Sequence, residues 1–224
     1  QGANTGIDNT GGNVTLTTTA GSVQGQAASG QDIIGTLATI ATNQGIGSTQ
    51  AIETTVSNLV VNNSGGGAAN NVQVQNTGAL DLGNAGASTS SNTAGDIDID
   101  VLGAGNNLTI SNTVTSSAGV VDLNANNNII FNQAAATTGV SAGTRATLTA
   151  GAQIQGNANT ATDVTAANVE LVATSGVGNT NELEINATDG TNGLAATTTT
   201  GDINVVDVDG GLAIGSVGGV IGVS

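Results

Sequence analysis

Residues 41–49 read Ala-Thr-Asn-Gln-Gly-Ile-Gly-Ser-Thr, and residues 173–180 repeat them as Ala-Thr-Ser-Gly-Val-Gly-Asn-Thr. The similarity extends outward from this stretch, so that residues 145–224 are a second copy of residues 13–92, offset by 131 or 132 positions. Long-period self-similarity is typical of stacked repeat proteins, in which each unit buries its apolar face against its neighbours. The chain is therefore expected to be part of an array.

Along the whole chain, apolar residues alternate with polar ones in short runs. This period of two is the pattern of a strand with one buried face. The pairs that show it are Val14/Leu16, Leu59/Val61, Val72/Val74, Leu80/Leu82, Ile97/Ile99, Leu108/Ile110, Val121/Leu123, Ile129/Phe131, Leu183/Ile185, Ile203/Val205 and Leu212/Ile214. Gly, Asn, Asp, Ser and Thr fill the intervals, and these residues favour turns. The pattern predicts short strands joined by tight corners.

Stacked strands of this kind form a parallel β-solenoid, in which each turn hydrogen-bonds to the turns on either side. We predict one continuous all-β solenoid over residues 1–224, with residues 93–144 completing the period. Strand pairs that recur about every 20–22 residues give about ten turns in the chain and about six in the 131-residue offset. Parallel crossovers favour the right hand, so a right-handed β-helix is expected.

The composition excludes most kinds of chemistry. The 224 residues include 35 Gly but no Pro, Cys, His, Met or Trp, and the formal net charge is −15. Without Cys or His the chain has no thiol or imidazole for metal binding or for base catalysis near neutral pH. With Arg145 as the only cation, nucleic-acid binding is not expected. We predict that this segment is not an enzyme.

No stretch approaches the roughly 20 apolar residues needed to span a membrane, and no signal-like segment opens the chain. Neither end has the polar outer face of a capping repeat, since Gly218–Gly222 is apolar and glycine-rich. Unpaired strand edges at such ends favour association. We therefore expect further copies of the chain, or flanking repeats, to be stacked end to end.

Five stretches resemble the repeat regions of filamentous-haemagglutinin-type adhesins and related giant surface proteins of Gram-negative bacteria. They are Asn13-Val-Thr-Leu-Thr, Gly119-Val-Val-Asp-Leu-Asn-Ala-Asn-Asn-Asn-Ile-Ile, Ala146-Thr-Leu-Thr-Ala-Gly-Ala-Gln-Ile-Gln-Gly, Ala167-Asn-Val-Glu-Leu-Val-Ala-Thr and Gly211-Leu-Ala-Ile-Gly-Ser-Val. The resemblance implies a right-handed β-helical shaft that is secreted across the outer membrane. It implies an extracellular or cell-surface location and a host or cell-surface ligand as a further partner.

Three functional hypotheses follow. The first is a structural, non-enzymatic segment of a large secreted surface protein, forming a rigid adhesin stalk or an extracellular filament. The alternative is a surface-layer or adhesion module bridged by calcium. Its candidate ligands are Asp96, Asp98 and Asp100 on one strand face, with Asp207 and Asp209 in a similar setting, because calcium takes carboxylate oxygens. A solvated acidic face is the simpler interpretation of these residues, and no other cofactor is expected.

A third hypothesis, a β-helical carbohydrate enzyme, would need another domain or chain to supply its base and its platform for sugar rings.

The positions of two single residues can also be predicted. Phe131, the only aromatic residue, lies in an alternating strand and is expected to point into the core. Arg145 is expected to pair with a carboxylate on an adjacent turn.

Overall fold

The chain folds into stacked strands. The structure is a computed structural model that describes residues 6–26, 30–83 and 89–224, and in these ranges it has 24 strands and no helix. The strands are β1 (Ile7–Asp8), β2 (Asn13–Thr17), β3 (Ile33–Ile34), β4 (Leu37–Thr42), β5 (Ile52–Thr55), β6 (Asn58–Asn63), β7 (Val72–Thr77), β8 (Leu80–Leu82), β9 (Ser90–Asn92), β10 (Ile97–Leu102), β11 (Leu108–Ile110), β12 (Val114–Ser116), β13 (Val121–Ala125), β14 (Ile129–Phe131), β15 (Val140–Ala142), β16 (Arg145–Ala150), β17 (Ile154–Gln155), β18 (Val164–Ala166), β19 (Asn168–Ala173), β20 (Leu183–Ala187), β21 (Leu194–Thr198), β22 (Val205–Asp207), β23 (Ser216–Val217) and β24 (Val220–Ile221). Since these ranges hold no helix, they hold none that could cross a membrane.

The strands stack in parallel ladders. The first sheet has nine strands in the order β1-β3-β5-β7-β10-β13-β16-β19-β21. The second sheet divides at β6, because the first half of β6 pairs with β8 and the second half with β9. From there two ladders continue side by side, β8-β11-β14-β17 and β9-β12-β15-β18-β20-β22. The four turns that begin at β7, β10, β13 and β16 therefore contribute three strands each, and the predicted β-solenoid is confirmed.

The turns are longer than the sequence spacing suggests. Val72, Ile97, Val121 and Ala146 are aligned in consecutive strands of the first sheet, at intervals of 25, 24 and 25 residues. The nine strands of that sheet span about eight turns, so the prediction of about ten turns was too high. The reason is that three strands and their corners, rather than a strand pair alone, make up one turn.

The core consists of columns of identical or similar side chains. Ile99, Leu123, Leu148 and Leu171 are aligned in β10, β13, β16 and β19, and each has 0% exposure. Branched aliphatic side chains repeat in such columns with little adjustment between layers. The solenoid interior is therefore narrow and continuous along the axis.

Polar side chains also lie inside the coil. Asn63 and Asn92 are both completely buried, and the Asn63 Nδ2 donates to the Asn92 Oδ1 at 2.9 Å and to the Asn70 carbonyl at 2.8 Å. The Asn92 Nδ2 donates in turn to the Asp96 carbonyl at 2.9 Å. These amides satisfy backbone groups at a corner where the coil bends and ladder bonds are lost.

The two sequence copies have the same local structure but lie on different sides of the coil. Strands β2 and β4 of the first copy belong to the second sheet, whereas their counterparts β16 and β19 belong to the first. The strands that pair next in each ladder, β6 on β4 and β21 on β19, are divided between the sheets in the same way. At about 24 residues per turn, 131 residues make between five and six turns. The offset is therefore not a whole number of turns, and the expectation of about six turns was slightly too high.

The final residues form the next layer of the coil rather than a separate cap. Ile214 bridges Leu194 and Val223 bridges Ala196, so both chain segments pair with β21. In the first copy, β8 and β9 divide between the two halves of β6 in the same way. Between these segments, β23 and β24 form an antiparallel hairpin.

Candidate functional site: an acidic face on the first sheet

Some of the carboxylates predicted as a calcium site lie on the outer face of the first sheet. Asp98 and Asp100 alternate with the buried residues of β10, so their side chains point away from the core. Asp122 in β13 is aligned with Asp98. Glu170 lies on the same face two strands further on, in β19. These residues form an acidic face whose members come from successive turns.

Most of these carboxylates already have partners. The Asp100 carboxylate accepts hydrogen bonds from the Gln75 Nε2 at 3.3 Å and from the Asn124 Nδ2 at 3.0 Å. Asp96 accepts a hydrogen bond at its Oδ1 from the Val120 amide at 2.8 Å. The neighbouring turns thus supply donors that fix two carboxylates in place without a metal ion.

Within the acidic face, ionisation is strongly disfavoured at Asp98. Burial, followed by the negative charges of Asp100, Asp122 and Asp96, raises the pKa of Asp98 from 3.8 to about 6. Burial also raises the pKa of Asp122, although a hydrogen bond from Asn124 and the charge of Arg145 oppose the shift. Like charges in a partly desolvated row disfavour ionisation, so Asp98 keeps its proton to a higher pH than an ordinary aspartate does.

A shallow groove of about 180 Å³ runs beside the row and is lined by Asn71, Gln73, Asp96, Asp98, Asp122 and Arg145. Arg145 lies at one side of the groove, with its Nε 4.0 Å from the Glu170 Oε2. Glu170 belongs to the next turn, so the prediction that Arg145 pairs across turns is confirmed. At this distance, and with the Arg145 side chain 38% exposed, the pair contributes little to stability.

Asp207 and Asp209 do not join this face. Asp207 is in β22 of the second sheet, where it is aligned with the buried Ile185 rather than with an outward residue. Asp209 follows that strand and is exposed. The five candidate calcium ligands are therefore divided between two sides of the coil.

No group of three or more acidic side chains close enough to hold a metal ion occurs within residues 6–26, 30–83 and 89–224. The role of the five aspartates in binding calcium stays a prediction. Asp96, Asp100 and Asp122 accept hydrogen bonds from neutral donors, so among the described contacts Asp98 is the aspartate of this row that has no such donor.

Phe131 points into the core, as predicted, with 3% exposure. It is aligned with Ile110 of the preceding turn. A Cβ atom on Gly139 would lie 2.6 Å from the Phe131 Cδ1, so the ring occupies space that only glycine leaves open. Phe131 is therefore a packing residue whose ring lies against Gly139.

Sequence reasoning missed a second acidic site. Asp163 and Glu184 are buried next to Gln133, although none of the three stands out by composition or spacing. The signal available in the sequence is duplication, because Asp32 and Glu53 precede them by 131 positions.

Comparison with protein-family models, with curated proteins and with solved structures finds no match to this chain. The fold and the acidic sites define the chain only as a β-solenoid with a duplicated segment.

The raised pKa of Asp98 predicts that stability depends on pH. The folded protein holds a proton on Asp98 more tightly than the unfolded chain does, so stability should fall as pH rises from about 4 to about 7. Asp98→Asn should weaken this dependence and raise the urea midpoint at about pH 8. Asp8→Asn, at an exposed position, is the control. Equal pH profiles for the wild type and Asp98→Asn would contradict the prediction.

Proposed function

We propose that the chain is a structural, non-enzymatic shaft segment of a large secreted bacterial surface protein, serving as a rigid stalk or as the body of an extracellular filament. The support comes from the uninterrupted parallel ladders, which place backbone hydrogen bonds along the axis for about eight turns. At ~4.8 Å per layer these turns extend over roughly 40 Å. A rod held by axial hydrogen bonds resists bending and local unfolding.

The two copies differ in how far the layer that pairs with β6 or with β21 is buried. Leu82 pairs with β6 and is completely buried, because β11 stacks on its other side. Its counterpart Ile214 bridges β21 in the same way but is 51% exposed. The same layer is therefore covered in the first copy and open in the second. We infer that another solenoid layer is the natural partner of this open face.

Further apolar side chains are exposed on the C-terminal segments of the coil, in or after β22, which ends the second sheet, and in the segment that pairs with β21. Val206, Val208, Ile221 and Val223 are 38–80% exposed, with Ile221 the most exposed at 80%. Leu102 and Ile7 are the other large exposed apolar residues among those described. An apolar end on a coil with a strongly acidic composition favours axial stacking over lateral association.

Electron microscopy of the native particle, with image averaging, tests the proposal. A continuous rod is expected, with a layer spacing of ~4.8 Å along its axis. The 131-residue unit should recur after between five and six layers. A compact particle without an axial repeat would contradict the shaft hypothesis.

Self-association of the isolated chain should depend on the open face. Ile221→Asp places a charge on an 80% exposed side chain and should shift sedimentation velocity profiles towards the monomer. Because the side chain is exposed, the substitution should leave melting unchanged. Leu102→Asp, at a 38% exposed position on the side of the coil, is the control and should not alter association. If both variants behave alike, the contact is not axial.

The calcium-bridged alternative has one favourable feature, the groove beside Asp98 and Asp122. A cation there would relieve the repulsion that raises the pKa of Asp98. The shaft proposal expects no change in melting temperature when millimolar calcium replaces a chelator. A rise that Asp98→Asn abolishes would favour the calcium-bridged module instead. The same assay on Asp209→Asn, at an exposed position, controls for general screening of charge.

A further inference from the structure

Three consecutive turns contribute to a buried polar cluster on the side of the coil away from the groove residues. Gln133 follows β14, Asp163 precedes β18, and Glu184 lies in β20. They are 2%, 0% and 7% exposed. The Val140 amide donates to the Asp163 carbonyl at 2.7 Å and the Asp163 amide donates to the Glu184 carbonyl at 2.8 Å, so Asp163 lies between the other two turns.

Asp163 connects these turns through its side chain. Its Oδ1 accepts a hydrogen bond from the Gln133 Nε2 at 2.7 Å, and its Oδ2 accepts one from the Glu184 amide at 3.2 Å. The Asn157 amide donates to the same carboxylate at 3.3 Å. The Nδ2 atoms of Asn157 and Asn159 both donate to the Gln133 carbonyl. The loop at residues 156–163 is thereby held against the preceding turn.

The cluster is incomplete without a proton. The Glu184 Oε2 and the Gln133 Oε1 are buried and have no hydrogen-bond partner among the described residues. A second buried carboxylate beside Asp163 is costly when both are ionised, because the groups that contact the pair in the described part of the chain include no cation. Glu182, the further charged group that acts on Glu184, is also negative.

The first sequence copy contains the same pair in a less enclosed form. The Glu53 amide donates to the Asp32 Oδ2 at 2.9 Å, and the Gln26 amide donates to the Asp32 Oδ1 at 3.1 Å. Both carboxylates there are only half-buried. The backbone arrangement is thus independent of burial, and the first copy provides an internal control for the second.

We propose that Asp163 and Glu184 share one proton, and that this shared proton holds the loop at residues 156–163 on the coil, so that the loop loosens when the proton is lost. The proton lies on a Glu184 oxygen and is donated to the Asp163 carboxylate. Loss of the proton leaves two adjacent buried negative charges. Their repulsion is relieved when the loop that carries Asp163 moves away from β20.

The proton affinities agree with this arrangement. Burial, then the hydrogen bond with Asp163 and the negative charge of Asp163, raise the pKa of Glu184 from 4.5 to about 7. Burial also raises the pKa of Asp163, although its hydrogen-bond donors oppose the shift. The loop should therefore be held firmly in mildly acidic solution and loosen as pH rises through neutrality.

Hydrogen exchange of the Asn157 and Glu184 amides in the full chain, corrected for intrinsic rates, tests the proposal. Protection in the wild type should fall by about tenfold between pH 5.5 and pH 8.5. Glu184→Gln keeps the side-chain shape and a donor without the charge, so its protection should remain high at both pH values. Glu53→Gln, the matched change in the first copy, should not alter protection at Asn157 or Glu184.

Two results would overturn the proposal. In the first, protection of these amides in the wild type is the same at pH 5.5 and pH 8.5, and Glu184→Gln shows the same protection as the wild type at both pH values. The second is a restoration of protection at pH 8.5 by added calcium in the wild type but not in Glu184→Gln, which would assign the pair to a cation rather than to a proton. Thermal melting of each variant at pH 5.5 verifies that the coil is intact.

Discussion

Leu148→Ala should lower the free energy of unfolding by about 2–5 kcal/mol, the usual range for removing a buried leucine side chain. Leu148 is completely buried, and it contacts the aligned Leu123 and Leu171 in the turns on either side. The cavity would lie inside a narrow column whose neighbours are fixed by ladder hydrogen bonds, so little collapse is available. Urea unfolding followed by circular dichroism measures the change.

The control for this substitution lies in the same strand. Thr149 is adjacent to Leu148 in β16 but points outward and is only half-buried. Thr149→Ala should change stability by no more than about 0.5 kcal/mol. If Leu148→Ala melts like the wild type, the register that places Leu148 inside is wrong. Equal losses from both substitutions would indicate that strand propensity, rather than core packing, determines the result.

The sequence predicts the strands well because the alternation of apolar and polar residues is a local property. Pairs such as Ile97/Ile99, Leu108/Ile110 and Val121/Leu123 coincide with buried positions of β10, β11 and β13. The prediction is weakest at Leu212/Ile214, where Ile214 forms only an isolated bridge and stays half-exposed. Its pattern is that of a buried strand, but among the described residues Ile214 is bridged on one side only, by Leu194.

The length of a turn is not a local property, and this explains the excess of predicted turns. The number of residues in a layer depends on how far each corner extends, and the polar corners at residues 132–139 and 156–163 have no apolar period from which to count. An error of a few residues per turn accumulates along the coil. It also changes which residues become neighbours in successive turns.

The same dependence on turn length determined how much of the candidate sites the sequence could predict. Asp98 and Asp100 could be placed on one strand face, but Asp122 and Asn124 become their neighbours only because the next turn begins 24 residues later. Asp163 resembles an ordinary turn residue in the sequence, since Asp favours corners. Its burial depends on Gln133 and Glu184, which come from other turns. Contacts between turns therefore required the structure.

Duplication of the corner at Gly47 predicts that substitutions there and at Gly178 have matching effects. Both glycines have left-handed backbone, with φ of 64° and 67°. A Cβ atom on Gly47 would contact the Gln73 carbonyl, and one on Gly178 would contact the Asn204 carbonyl. The Gly47 amide donates to the Val23 carbonyl at 2.7 Å, and the Gly178 amide donates to the Ile154 carbonyl at 2.8 Å. The two corners therefore have little freedom to adjust.

Gly47→Ala and Gly178→Ala should each cost about 1–3 kcal/mol, from left-handed backbone strain and from the close approach of a carbonyl of the next turn. Gly190→Ala is the control, because Gly190 is exposed and a Cβ atom there meets nothing within 4 Å. The denaturant midpoints of the three variants, compared with that of the wild type, measure these losses of stability. The two corner variants should lose similar stability and the control almost none. Since the corners lie on different sides of the coil, matching losses would show that the duplicated sequence specifies the corner itself, whichever side of the coil it occupies.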